Sequence, residues 1–179
     1  MTGYVAFLRG INVGGRGVLK MQELARMFAS AGCEKVKTYI QSGNVVFEAR
    51  AGDLDRLHRK IEKRLRDHLG VEVKVMLRTS REIENLVSLD PFERAGRDPK
   101  VKRYVAFLYG KPHSRPVLPL ISAKEGIEVF LVKNLEAFSL SREVKGRYGF
   151  PNNFIEKQLG VPATTRNWNT VGKIAALAS

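Results

Sequence analysis

Tyr4-Val5-Ala6-Phe7-Leu8-Arg9-Gly10 returns one hundred positions later as Tyr104-Val105-Ala106-Phe107-Leu108-Tyr109-Gly110, with a single mismatch. Agreement at six of seven positions is not a chance event in a chain of 179 residues, and an internal repeat is a statement about architecture. Working outward from the first copy, residues 3–9 are rich in β-branched and aromatic side chains, end at Gly10, and predict a strand. Met21, Leu24, Phe28 and Ala31 then share one helical face over 20–31, and Gly32 supplies the stop. Val36–Gln41 and Val45–Glu48 predict two strands joined through Ser42-Gly43. Leu54, Leu57, Ile61 and Leu65 stripe a helix over Asp53–Leu69, and Val71–Arg78 predicts a fourth strand. Thr79-Ser80-Arg81-Glu82 has the form of a capping box opening a helix through Val87.

The second copy follows with a looser pattern. Val101–Tyr109 predicts a strand and His113–Ala123 a Pro-broken connection read as helical. Ile127–Val132 and Ala137–Leu140 predict a hairpin, Asn152–Leu159 a helix stopped by Gly160, Ala163–Arg166 a short strand, and Trp168–Leu177 a closing helix. The expected fold is α+β: an internal duplication of two ferredoxin-like βαββαβ units, each followed by a helix. The expected halves are 1–90, carrying the glycine loop, and 91–179, packed as one compact unit, with Leu89–Pro99 as the junction.

In such a unit the first and second strands run parallel with the third between them. The loop after the first strand and the hairpin after the second therefore leave the same edge, roughly 10 Å apart. These are Arg9-Gly10-Ile11-Asn12-Val13-Gly14-Gly15 and Gln41-Ser42-Gly43-Asn44. Glycines let backbone amides turn toward a ligand, while Arg9, Asn12, Ser42 and Asn44 add side-chain donors. Lys20 adds charge at a helix N-terminus that already favours anions. The corresponding loops of the second half, 109–113 and 132–135, lack the glycine cluster, and that asymmetry favours a ligand over turn chemistry alone. The glycine spacing matches neither the dinucleotide fingerprint nor the Walker loop.

YVAFLRGINVGG, YIQSGNVVF, NNFIEKQLG and TRNWNTV, in this order and near these distances, resemble the bacterial proteins grouped as domain of unknown function 1697. The resemblance spans nearly the whole chain and is weakest over Leu140–Tyr148. It implies an α/β protein of the bacterial cytosol and no established activity. It marks Arg9, Asn12, Gly14, Gly15, Lys20, Ser42, Gly43, Asn44, Arg166, Asn167, Trp168 and Asn169 as motif positions without roles. Arg166–Asn169 has two readings. One is a helix start, with Asn167 as N-cap, Trp168 packed and Asn169 solvated. The other brings Arg166, Asn167 and Asn169 to the anion site of the glycine loop.

Charge agrees with an acidic partner: 31 basic residues against 18 acidic leave +13. The excess is spread, with 16 basic against 11 acidic residues up to Asp90 and 15 against 7 beyond it. Such a surface attracts nucleic acid, anionic metabolites or acidic proteins. A chain this long buries roughly 70 % of its unfolded surface and needs no staple, and the single Cys33 forms no internal bridge, which fits a reducing compartment. No apolar run approaches the roughly 20 residues of a membrane span, and MTGYVAFLRGIN reads as a strand, not a leader. A cytoplasmic location is expected.

Several chemistries lack their residues. His58, His68 and His113 show no metal-ligand spacing, so no metal or cofactor is expected. The motif loops contain no Asp, Glu or His for general-base work, and Ser42 becomes a nucleophile only with a base such as Lys20. Catalytic residues stay unassigned. Lys145-Gly146-Arg147-Tyr148-Gly149-Phe150 is a basic, aromatic loop, not an RNA-recognition sheet motif, and neither Val45-Val46-Phe47 nor Glu128-Val129-Phe130 offers a stacking platform. The leading expectation is binding of an anionic ligand (a nucleotide, a phosphorylated metabolite or an RNA backbone) at the edge formed by 9–15 and 41–44. The alternatives are a transferase acting on a phosphate- or carboxylate-bearing small molecule and a structural or protein-interaction module.

Overall fold

The repeated hydrophobic stretches become the central strands of two antiparallel sheets. The computed structural model describes residues 1–11, 19–50, 52, 54–93 and 98–179. They form two compact units, Met1–Asn85 with Lys173–Ser179 and Leu86–Gly172. The division falls ahead of the expected junction at 90/91, and the end of the last helix groups with the first unit.

In the first unit β1 (Thr2–Leu8), β2 (Glu34–Tyr39), β3 (Asn44–Ala49) and β4 (Val75–Thr79) form one sheet in the order β2-β3-β1-β4. β3 lies between β1 and β2 and pairs antiparallel with both. Helices α1 (Met21–Ser30) and α2 (Leu54–Leu69) cover one face. Strand alternation sends Tyr4, Ala6 and Leu8 to that face, where they join Leu24, Phe28, Ile61 and Leu65 in one core. The opposite residues Val5 and Phe7 are buried as well. The edge strand β2 carries exposed Lys35 and Lys37 and a bulge between Glu34 and Lys37, devices that discourage pairing with another chain. Helix α3 (Ser80–Leu89) starts at the predicted capping box: Thr79 Oγ1 accepts from Glu82 N at 3.2 Å, and Glu82 Oε2 accepts from Thr79 N at 2.7 Å.

The second unit is built on β5 (Val101–Leu108), β6 (Leu120–Ser122), β7 (Ile127–Lys133), β8 (Glu136–Val144), β9 (Arg147–Tyr148) and β10 (Ala163–Asn167). Its sheet runs β10-β5-β8-β7-β6, with β9 added to β8. Helix α4 (Asn152–Leu159) buries Ile155 and Leu159 against Ala106, Leu108 and Val129, and α5 (Trp168–Ala178) follows β10 directly. The order β10-β5-β8-β7 repeats β4-β1-β3-β2. One expected element is corrected: no helix joins β5 to β7. Pro112, Pro116 and Pro119 interrupt that connection, removing helical N–H donors, and edge strand β6 stands in its place.

Candidate functional site

Backbone pairing brings the two predicted turns together. Leu8, the last residue of β1, donates its N–H to Gly43 O at 2.8 Å, one residue before β3 begins. Gly43 has φ +70°, and a Cβ there would lie 2.9 Å from Leu8 Cβ, so the turn requires glycine in both conformation and space. Asn44 is fully buried and donates from Nδ2 to Tyr39 O at 3.0 Å and to Ser42 Oγ at 2.8 Å. Both hydrogens of the amide are thereby used. Asn44 therefore ties the turn and presents no amide donor to solvent, a different role from the ligand contact expected of it.

Arg9 follows at the same edge with an exposed side chain, its N–H donating to Lys74 O at 2.9 Å. Lys20, also exposed, is the N-cap of α1 and makes no side-chain cap bond. Asn12, Gly14 and Gly15 lie outside the described residues. Lys74, unmarked in the sequence, leads from this edge into a cleft of about 320 Å³, where Arg59, Lys63, Arg66 and Lys74 meet Glu62 and Glu72. Glu62 has a structural duty, accepting the Val75 N–H at 2.9 Å and facing His58 Nε2 at 3.3 Å. Lys63 pairs with Asp67 at 2.5 Å. Along α2 the exposed Arg56, Arg59, Lys60, Lys63, Arg64 and Arg66 keep the rim basic. Among the described residues, the turns at 8–11 and 40–44 contain no carboxylate.

Arg166, Asn167 and Asn169 belong to the second unit. Arg166 pairs with Val105 in the β10–β5 register and is buried, with Nη1 donating to Thr164 Oγ1 at 2.8 Å and Thr165 O at 2.9 Å. Burial pushes its guanidinium down to about 10, because desolvation disfavours the charged form. The first unit has a counterpart missed in the sequence. Arg78 pairs with Val5, is equally buried, and donates from Nη1 to Leu77 O at 2.7 Å. Leu77-Arg78-Thr79 and Thr165-Arg166-Asn167, each ending a strand and opening a helix, were the available signal. Asn167 caps α5, accepting the Asn169 N–H on Oδ1 at 3.0 Å. Asn167, Trp168 and Asn169 also line a cleft of about 400 Å³ with Lys102 and Arg103.

His113 N donates to Leu159 O at 3.3 Å at the end of α4, and His68 is exposed in the last turn of α2. Among the described residues no cluster of His, Cys, Asp and Glu could hold a metal ion, and no helix is long and apolar enough to cross a membrane. Cys33 is buried, and desolvation pushes its thiol from the ordinary 9.0 up to about 11 despite nearby Lys60. Between these values the unfolded chain ionises and the folded one does not. Cys33 thus contributes stability that is fully present below about pH 9 and lost as pH rises through about 11. A thiol-specific disulfide reagent at pH 8 is expected to label the native protein far more slowly than the urea-unfolded chain; equal rates would contradict this burial.

A solved structure described as the conserved bacterial protein SP0830 from Streptococcus pneumoniae matches with a TM-score of 0.68 at 24 % identity, covering 99 % of each chain. That likeness is one of fold. No curated protein matches the chain. A family model described as "Protein of unknown function (DUF1697)" matches residues 1–138. The match includes the YVAFLRGINVGG and YIQSGNVVF segments, whereas NNFIEKQLG and TRNWNTV lie beyond it. With both glycine-bearing turns inside a match over most of its length, the chain belongs to the DUF1697 family.

Proposed function

We propose that the protein binds a phosphate-bearing anion (a nucleotide, a phosphorylated metabolite or an RNA backbone) at the edge of the first sheet where the turns after β1 and before β3 meet. The observation that carries this reading is the Leu8–Gly43 hydrogen bond, which sets Arg9 beside the second turn, with Lys74 and its basic cleft tied to the Arg9 backbone. Arg9, Lys20, Ser42 and Lys74 are the proposed contacts. Asn44 supports the turn from behind. Phosphate, a dianionic group, accepts charge-assisted hydrogen bonds from Arg and Lys, and the two turns themselves carry no carboxylate among the described residues, although Glu72 stands 4.0 Å from Lys74 in the cleft.

The chain is a duplication of ferredoxin-like units in this reading. Three correspondences support it: the shared strand order, the Arg78–Val5 and Arg166–Val105 pairs, and a helix carboxylate that accepts the first N–H of the last strand in each unit. Glu62 does so for Val75 at 2.9 Å and Glu156 for Ala163 at 2.7 Å. The second copy replaces its first helix by a loop and β6, and its loops have lost the glycine cluster. A cytoplasmic location accompanies the proposal through the lone, buried thiol.

The test is a thermal-shift series with pyrophosphate, ATP and oligouridylate. A ligand at about 100 times its Kd adds about 2.7 kcal/mol. Arg9→Ala is expected to weaken the effective ligand about tenfold or more, since a hydrogen bond to a charged group is worth roughly 1.5–3 kcal/mol. If oligouridylate is the ligand, affinity falls steeply with salt, following the number of phosphates neutralised. Absence of any anion-dependent shift, or an Arg9→Ala variant with unchanged affinity, contradicts the proposal.

A further inference from the structure

The cleft of the second unit has a character of its own. Its wall is aromatic: the Trp168 ring is half-buried and lies 5.1 Å, centroid to centroid, from the fully packed Phe92. Its polar lining is the amides of Asn167 and Asn169 and the cations Lys102 and Arg103, with Asp90 and Glu93 on the remaining side. Asp90 is used locally, accepting the Phe92 N–H on Oδ1 at 3.2 Å. Amides that both donate and accept, beside an indole face, suit a planar heterocycle with a hydrogen-bonding edge. A volume of about 400 Å³ lies in the range of small-ligand sites.

The equivalent place in the first unit is crowded. Tyr4 pairs with Thr79 as Tyr104 pairs with Asn167, so Gly3 and Ser80 stand in register where Arg103 and Trp168 stand. There a Cβ on Gly3 would come within 2.6 Å of Ser80 Oγ. The first unit thus has no room at Gly3 for a side chain like the Arg103 that lines the cleft of the second unit.

On the opposite face of the sheet, reached round the start of β5 by Lys102, stands a second set of rings. Lys102 lines the cleft and holds its ammonium 4.1 Å from the Tyr148 ring centroid. Tyr148 is fixed by donating to Lys100 O at 2.9 Å, and beside it Phe150, 57 % exposed, sets its ring edge-on to Tyr104 at 5.6 Å. Exposed Lys145 and Arg147 flank these rings, with Glu143 opposite Tyr148 in the β8–β9 pair. A single nucleotide is smaller than this run of rings and cations. Aromatic rings beside basic side chains are how sequence-tolerant single-strand binding is built.

We propose that the second unit binds single-stranded nucleic acid, taking one unstacked base into the cleft beside Trp168 and passing the neighbouring bases round the start of β5 onto the Tyr148–Phe150 ledge. Its phosphates run past Lys102, Arg103 and Arg147. This site is independent of the glycine-turn edge.

Trp168 is the only tryptophan, so its fluorescence reports on the cleft. Octauridylate at low salt is expected to quench it saturably. Asn169→Ala and Phe150→Ala, both at exposed positions, are each expected to weaken that binding about tenfold, within the range for losing one stacked or paired base. Arg9→Ala should leave it unchanged, which separates this site from the edge proposed above. No quenching by octauridylate, or unaltered binding in both cleft variants, overturns the proposal. So does uridine monophosphate binding as tightly as the octamer, which would make the cleft a small-nucleotide site, or a duplex RNA binding equally well.

Discussion

Gly43→Ala is expected to destabilise the protein by about 3 kcal/mol, with two terms contributing. A left-handed conformation costs an ordinary L-residue about 1–2 kcal/mol, and the added methyl meets Leu8 Cβ at 2.9 Å in a place fixed by the Leu8–Gly43 hydrogen bond, where overpacking costs a further 1–3 kcal/mol or so. Gly10→Ala separates the terms. Gly10 has the same φ of +70°, yet nothing lies within 4 Å of its Cβ position, so only the conformational cost of about 1 kcal/mol is expected. Urea denaturation of the two variants measures the difference. Equal losses would mean that the turn does not hold Leu8 as closely as described.

The largest stability loss is expected for Phe47→Ala, about 3–5 kcal/mol, the usual range for emptying a phenylalanine site in a core. Phe47 is 1 % exposed, stacks on Tyr4 at 5.6 Å and meets the edge of Phe28 at 5.3 Å. It therefore joins β3, β1 and α1, and a cavity there loosens the elements that carry both turns. Phe150→Ala is the comparison: with its ring mostly in solvent, the change is expected to cost about 0.5 kcal/mol or less. A loss below about 1 kcal/mol for Phe47→Ala would show that the site collapses around the missing ring.

The strands and helices were legible because their periodicities are local. Tyr4–Gly10 and its copy pointed to the central strands of both sheets, and Thr79–Glu82 pointed to the start of α3. The missing helix between β5 and β7 shows a local signal set aside in favour of the repeat. Three prolines argued against that helix, and the symmetry of the halves argued for it. The prolines prevailed because a lost N–H and a ring clash act in every copy of a fold.

Side-chain destinations were harder to read. Asn44 resembles a ligand contact in sequence, but its amide is drawn inward by the Tyr39 carbonyl, whose position depends on the turn's backbone path. For Arg166 the sequence leaves two readings open, but strand parity sets it beside Val105, a residue of the buried repeat. Lys74 carries no signal in the sequence, because the stagger of α2 against β4, which forms its cleft, leaves no trace in periodicity. For the candidate site, the meeting of the end of β1 with the Ser42-Gly43 turn was legible, and the cleft beside Lys74 was not.

The proposed phosphate site rests on the two turns at one sheet edge. Its most direct test is an amide chemical-shift titration of the isotope-labelled protein with pyrophosphate. Saturable shifts are expected at Arg9, Gly10, Ser42 and Gly43, reduced in Arg9→Ala. Saturable shifts confined to other residues, or a linear drift with ionic strength at these four, would contradict it.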